Sequence, residues 1–236
     1  MPAARSTATR PSASPTKQAF PAITNWDWDR VAGERYLSGV TWGDFHVVGT
    51  YDGSSFTVLD VGPPQPQPPD PADPIVIPCG EPAGGWAATD PARTSRSDLE
   101  AAGHAASAQP DSAGWWIKYL VPPATDGSFG PDDLVMNAAF TGDIERHRQE
   151  LSRLWGGPLC VVRYDRTDGE LRRIQTELTD HGADEFGFTL LFSESDIVRN
   201  RVEIGVVVAD DRLREAIDAR YGPGTVLLVP ALQPVG

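Results

Sequence analysis

Two cysteines and four histidines, set among 33 acidic side chains, are the groups in this 236-residue chain most able to cross-link, hold a metal or attack a substrate. Cys79 lies in a Pro/Gly-rich loop (IPCGEP) and Cys160 in an apolar run (PLCVV). An even pair in an oxidising compartment reads as a disulfide, so Cys79–Cys160 is the expected bridge. It would close a loop of about 80 residues, worth roughly 4 kcal/mol in the chain-entropy account. Two readings compete with it: a pair of buried free thiols, or a nucleophilic Cys160, which needs a base within hydrogen-bond reach. The histidine nearest to Cys160 in sequence is His147, on the preceding helix.

The histidines, His46, His104, His147 and His181, stand alone; no HxH, HxxxH or CxxC pair exists. No metal site and no cofactor is therefore expected. His147, within ERHRQE, is expected to be a solvated helix residue, and His46 an ordinary strand residue. Asp126, Asp132 and Asp133 could hold a hard cation but lack a closing Glu and the 12-residue ligand spacing; turn chemistry accounts for them. Asp168 and Glu170 open a helix, where negative charge is favourable without a ligand. No GxSxG, GxGxxG or GxxxxGK[ST] run is present, so no catalytic set is nominated. Seven tryptophans remain. Trp115 and Trp116 are consecutive in a strand and must face opposite sides; Trp26 and Trp28 share a face if extended. These four are the candidate binding surface, with structural packing as the rival role.

The charge balance, 20 basic against 33 acidic residues for a net of −13, offers no basic face for a phosphate backbone, so nucleic acid is not an expected partner. No run is long and apolar enough for a transmembrane helix. The opening MPAARSTATRPSASPT has no apolar signal core, yet it resembles the spacer that follows an export signal or lipid anchor. An extracellular or cell-envelope location is expected, with a lipid anchor if a leader precedes this sequence; the alternative is a disordered tail on a cytoplasmic protein.

Positioning these groups requires elements, and five segments are expected. Residues 1–19 form a disordered Ser/Thr/Pro tail. Residues 20–61 hold a β-hairpin whose Asp52–Gly53 pair fits a type I′ turn. Residues 62–74, with seven prolines, form a strap of about 40 Å in polyproline II geometry. Residues 75–133 are an irregular α/β segment with a helix over Ser97–Ser107, weakened by Gly103, and a strand over Gly114–Val121. Residues 134–236 form an α+β sheet unit. In it LVMNAAF, LCVVRYD, FGFTLLF, RVEIGVVVA and TVLLVP read as strands. The helices of that unit are expected over Asp143–Trp155, with a stripe of Ile144, Arg148, Leu151 and Trp155, over Asp168–Leu178, with Leu171, Ile174 and Leu178 inward, and after Asp210–Asp211, with Leu213 and Ile217 inward. From Leu159 to Pro230 the order is strand, helix, strand, strand, helix, strand, the signature of a split βαβ or ferredoxin-like unit with both helices on one face. The fold class is α+β.

The runs TGDIERHRQELSRLWGGPLCVVRYD and VRNRVEIGVVVADDRLREAIDARYGPGTVLLVPAL resemble uncharacterised secreted or lipid-anchored proteins of high-GC bacteria. The second is also similar to C-terminal modules of secreted-protease propeptides, where an Asn-x-Val-x-Val strand precedes a helix and a last strand. The matching stretch here is Asn200–Arg201–Val202–Glu203–Ile204. The resemblance implies a compartment and a fold and transfers no catalytic residue. The function expected is an exported or cell-envelope binding or structural protein without turnover, with a protein or peptide partner at a sheet edge. One alternative is a hydrolase with a loop-built site around Asp126–Asp133, His147 and Cys160; the other is a protease inhibitor or propeptide-like chaperone.

Overall fold

The computed structural model describes residues 20–65 and 75–235. The chain divides into two compact units, Met1–Ala72 with Pro230–Gly236, and Asp73–Val229. The tail over residues 1–19 and most of the proline strap, residues 66–74, lie outside the described residues.

In the first unit, β1 (Ala22–Ile23), β2 (Arg35–Leu37), β3 (Val40–Trp42), β4 (His46–Tyr51) and β5 (Ser55–Gly62) form two small sheets, β1-β5-β4 and β2-β3. The expected β4–β5 hairpin is present, but its turn is not type I′. Tyr51 pairs with Phe56, and of Asp52 and Gly53 only Gly53 has a positive φ, 97°. The Asp52 carboxylate decides the turn by accepting from the Ser54 and Ser55 amides at 2.9 and 2.8 Å, an Asx turn that asks for one left-handed residue instead of two. Asn25 extends β1 by bracketing Val58: its amide donates to Val58 O at 2.7 Å and accepts from Val58 N at 2.8 Å.

The second unit runs α1 (Arg96–Ser107), β6 (Ser112–Tyr119), β7 (Leu134–Phe140), α2 (Ile144–Ser152), β8 (Leu159–Arg163), α3 (Asp168–Glu177), α4 (Ala183–Phe186), β9 (Leu190–Asp196), β10 (Arg201–Val206), α5 (Asp211–Tyr221) and β11 (Val226–Pro230). It carries two three-stranded sheets, β6-β7-β8 and β11-β10-β9. The chain is mixed α+β. Because β6 pairs with β7, the segment over 75–133 and the sheet unit that follows it share one sheet.

In that sheet every residue of β7 is buried, so both of its faces must be covered. β6 pairs with it antiparallel and β8 parallel, giving the rows Trp115–Ala138–Val161 and Trp116–Asn137–Cys160. Neighbours in a row share a face. The first face, with Met136, Ala138, Phe140 and Val161, packs on Leu99, Ala102 and Ala106 of α1 and Leu151 of α2. The second face holds Ala113, Trp116 and Ala139, against which Val162, Tyr164 and Val198 pack. The segment from Ile75 reaches the same face: Trp116 Nε1 donates to Val76 O at 2.9 Å.

Trp115 and Trp116 thus face opposite sides, as strand geometry requires. Trp115 explains Gly103: a Cβ there would lie 2.4 Å from its indole ring. What weakens α1 as a helix lets it approach the sheet. The cap of α1 is Ser95, two residues before the expected one, in a capping box with Asp98.

In the other sheet, Leu171 and Ile174 of α3, with Leu178, and Leu213 and Ile217 of α5 join Val202, Ile204 and Val206 of β10 and Val226 and Leu228 of β11 in one core. Both helices pack on the same face. The strand expected over FGFTLLF begins later. Phe186 closes α4, Gly187 adopts φ 75° as its cap, and β9 continues through Ser193–Asp196, residues expected to lie in the connection. The Asp196 carboxylate moves the turn there, accepting from the Val198 and Arg199 amides, both at 3.0 Å.

Gly103→Ala tests the approach of α1. Alanine gains about 1 kcal/mol in helix propensity, but overpacking against a rigid indole costs about 1–3 kcal/mol. A net loss of roughly 0–2 kcal/mol is expected in urea unfolding. A variant more stable than the wild type by the full propensity gain would mean that Trp115 does not hold this position.

Candidate functional site

Cys79 and Cys160 are bonded to each other across 81 residues of chain. Cys160 is fully buried in β8, on the second face of the sheet beside Asn137 and Trp116. Cys79 ends the short run that Trp116 also holds through Val76. The bridge therefore fastens an irregular segment over a sheet face, and it occupies the one sulfur that had been a candidate nucleophile.

His147 is not solvated: it is 1% exposed. It lies three residues after Ile144 and four before Leu151, so it shares the inward stripe of α2 in place of Arg148. Its ring stacks on Phe140 at 3.7 Å and 8°. Nε2 lies 2.8 Å from Asp111 Oδ2. A carboxylate only accepts, so Nε2 carries the proton of this bond. The Arg146 guanidinium, 3.0 Å from the same nitrogen, then contributes charge but finds no lone pair there. Glu150 completes the cluster, bonded to Arg146 at 3.1 Å and 3.7 Å from His147 Nδ1.

Asp111 stands just before β6 and is held from two sides. Its carbonyl accepts from Thr141 N at 2.9 Å, and a Cβ at Gly142 would lie 2.0 Å from its Oδ2. Burial opposes ionisation of this carboxyl more than any other single influence. The hydrogen bond and charge of His147, with the charge of Arg146, together outweigh burial and hold the pKa below the ordinary 3.8. Asp111 and His147 have the pairing that orients a catalytic base. Yet the ring is sealed by Phe140, and among the described residues no hydroxyl or thiol is bonded to it. The pair couples the start of β6 to α2.

The carboxylates of the 126–133 loop serve the backbone. Asp126 accepts from Ser128 N at 2.9 Å, Asp132 from Ala88 N at 2.6 Å and Asp133 from Gly130 N at 2.5 Å. An open cleft of about 270 Å³ lies beside Asp126; on its wall Arg96 donates to Gly127 O at 2.6 Å and stacks over Phe129. The groups expected to meet in a loop-built hydrolase site are thus each engaged elsewhere. Among the described residues no group of three His, Cys, Asp or Glu side chains is placed to hold a metal ion.

Trp115 and Trp116 serve the two sheet faces; Trp116 is 7% exposed and stacks on Tyr164. In the first unit Trp26 and Trp28 meet edge to face at 5.3 Å and both contact Phe45. Residues 28–30 form a turn of 3₁₀ helix capped by Asp27, so this stretch is not extended. Sequence reasoning missed Asp111 and the burial of His147. The i, i+3, i+7 spacing of Ile144, His147 and Leu151 was the available signal.

No protein-family model matches the chain, and no curated protein matches it.

Asp111 and His147 carry a testable energy. His147→Ala opens a cavity and strips the half-buried Asp111 carboxylate of its donor, so a loss of about 2–4 kcal/mol is expected. Asp111→Asn isolates the charge. Because the folded pKa is depressed, the stabilisation is complete above the unfolded value and fades as pH falls through the folded one. The gap in denaturation free energy between wild type and Asp111→Asn should be full at pH 7 and narrow below about pH 4. A gap independent of pH would contradict an ionised Asp111 in the folded protein.

Proposed function

We propose that this is an exported or cell-envelope protein that binds a partner and performs no turnover. The observation that carries the reading is the Cys79–Cys160 bridge. Disulfides persist in oxidising compartments, and a small sheet with an irregular cover gains from a cross-link spanning 81 residues. The absence of turnover is supported by the engagement of the reactive groups: the Cys160 sulfur in that bridge and the His147 ring between Phe140 and Asp111. Among the described residues no helix is long and apolar enough to cross a membrane.

The element order β8-α3-β9-β10-α5-β11, with both helices on one face, supports a ferredoxin-like reading of this half. The pairing of β8 with β7 and of β11 with β10 would make it an opened variant. A peptide partner would add to the outer edge of β9, which borders its sheet and carries Phe192, 45% exposed.

A non-reducing peptide mass map of protein secreted by an export-competent host tests the reading. One linked peptide pair containing Cys79 and Cys160 is expected, and reduction should lower stability by about 2–4 kcal/mol. Two free thiols in secreted protein would remove the basis for the export assignment.

A further inference from the structure

β8 ends in Arg163, and the chain continues through Tyr164, Asp165 and Arg166 into the cap of α3. Opposite it lies the β9–β10 turn with Arg199 and Asn200. Between them is a polar cleft of about 380 Å³, within the range of small-ligand sites, about 300–1,000 Å³. Its lining carries three guanidinium groups and one carboxylate in a chain with a net charge of −13.

The three arginines are not equally compensated. Arg199 is paired with Asp196 at 2.9 Å. Arg163 donates to a neutral acceptor, Thr141 O, at 2.7 Å, so its charge is placed but not cancelled. Arg166, half-buried, has no ion pair among the described residues. On α3, Asp168 is bonded to Arg172 at 2.8 Å, and Glu170, which feels the Arg166 charge, is directly bonded to the Thr167 amide at 2.7 Å.

The walls are fixed independently of any ligand. Asn200, with φ 53°, is one of the few residue types besides glycine that tolerate this conformation. Its side chain clamps the Arg166 peptide, accepting from the N–H at 3.0 Å and donating to the carbonyl at 2.8 Å. The Tyr164 hydroxyl donates to Val198 O at 2.7 Å; burial and the Asp196 charge push its pKa up, so it stays a donor. Two loops from distant parts of the chain are thus locked together with guanidinium groups on both sides.

We propose that this cleft binds a small dianionic oxyanion, a phosphate or sulfate group, with Arg163 and Arg166 as its principal ligands. Guanidinium forks match the paired oxygens of such groups. Three guanidinium groups against one carboxylate leave the lining cationic.

The test is calorimetric titration of the full chain at low ionic strength with inorganic phosphate, inorganic sulfate and glycerol phosphate. Sodium chloride at matched ionic strength is the control. Saturable binding at one site is expected, weakened about tenfold or more by Arg166→Gln and also by Arg163→Gln. Arg212→Gln, the same charge change on the exposed face of α5, should leave it unaltered. Tighter binding of glycerol phosphate would identify an organic carrier, and equal binding a free anion; either supports the site. Should Arg166→Gln fail to fold by circular dichroism, Arg163→Gln decides, since its side chain is exposed and bonded only to a carbonyl. Heats matching those of chloride, or wild-type affinity in the folded arginine variants, would overturn the proposal.

Discussion

A strand buried on both faces must be roofed twice, and β7 sets that demand for the second unit. Its first face is met by α1 and α2, whose approach depends on Gly103 accepting the edge of Trp115. The second has no such layer from those helices. There, Trp116 and Cys160 sit side by side with Asn137 in one row, and each fastens the Ile75–Cys79 segment, one by a hydrogen bond and the other covalently. An irregular segment makes few ladder bonds of its own, so ordering it over a sheet costs backbone entropy that regular structure would otherwise offset. The cross-link lowers that cost by restricting the unfolded chain. The cysteine is therefore placed where the architecture is least supported by secondary structure.

The same row links the roof to the loops beyond β8. Trp116 stacks on Tyr164, whose hydroxyl holds Val198 O, two residues before Asn200. Rigid side chains thus run from the disulfide-held segment to the corner where β8, α3 and the β9–β10 turn meet. A corner locked by Asn200 and Tyr164 presents its arginines with little freedom to rearrange, which is the condition for binding without a large ordering penalty.

Regular elements were legible in the sequence wherever local pattern and tertiary demand agreed. The inward faces of α3 and α5 follow from apolar spacing alone, and Trp115 and Trp116 had to face opposite sides in any strand. The bridge was legible because two cysteines allow one pairing. Legibility failed where a polar side chain redirected the backbone. Asp52 converted a type I′ turn into an Asx turn, and Asp196 shifted the end of β9 by claiming two amides. His147 was misjudged by its residue type, although its position between Ile144 and Leu151 placed it inward. RYDR and RNR, separated by α3, α4 and β9, gave no sign of meeting; the β9–β10 hairpin brings them together.

The acidity of the chain bears on that meeting. At physiological salt, exposed charges are screened over roughly 8 Å, so the −13 net charge disfavours the approach of an anion but does not govern what happens inside a cleft. There the nearest charges dominate, and on the lining guanidinium groups outnumber carboxylates three to one. An acidic protein that kept such a cluster unconstrained would let it neutralise itself, because long side chains turn readily toward nearby carboxylates. Three carboxylates near the cleft are committed: Asp196 to the hairpin amides and Arg199, Glu170 to the cap of α3, and Glu203 to Arg201 at 2.6 Å; Asp165 is the one acid on the lining. Capping and turn chemistry thus do more than shape the backbone. By occupying the local acids they leave Arg163 and Arg166 without an ion pair among the described residues, Arg166 feeling only the longer-range charge of Glu170, and a charge only partly compensated in a fixed position is what distinguishes a binding site from a solvated surface.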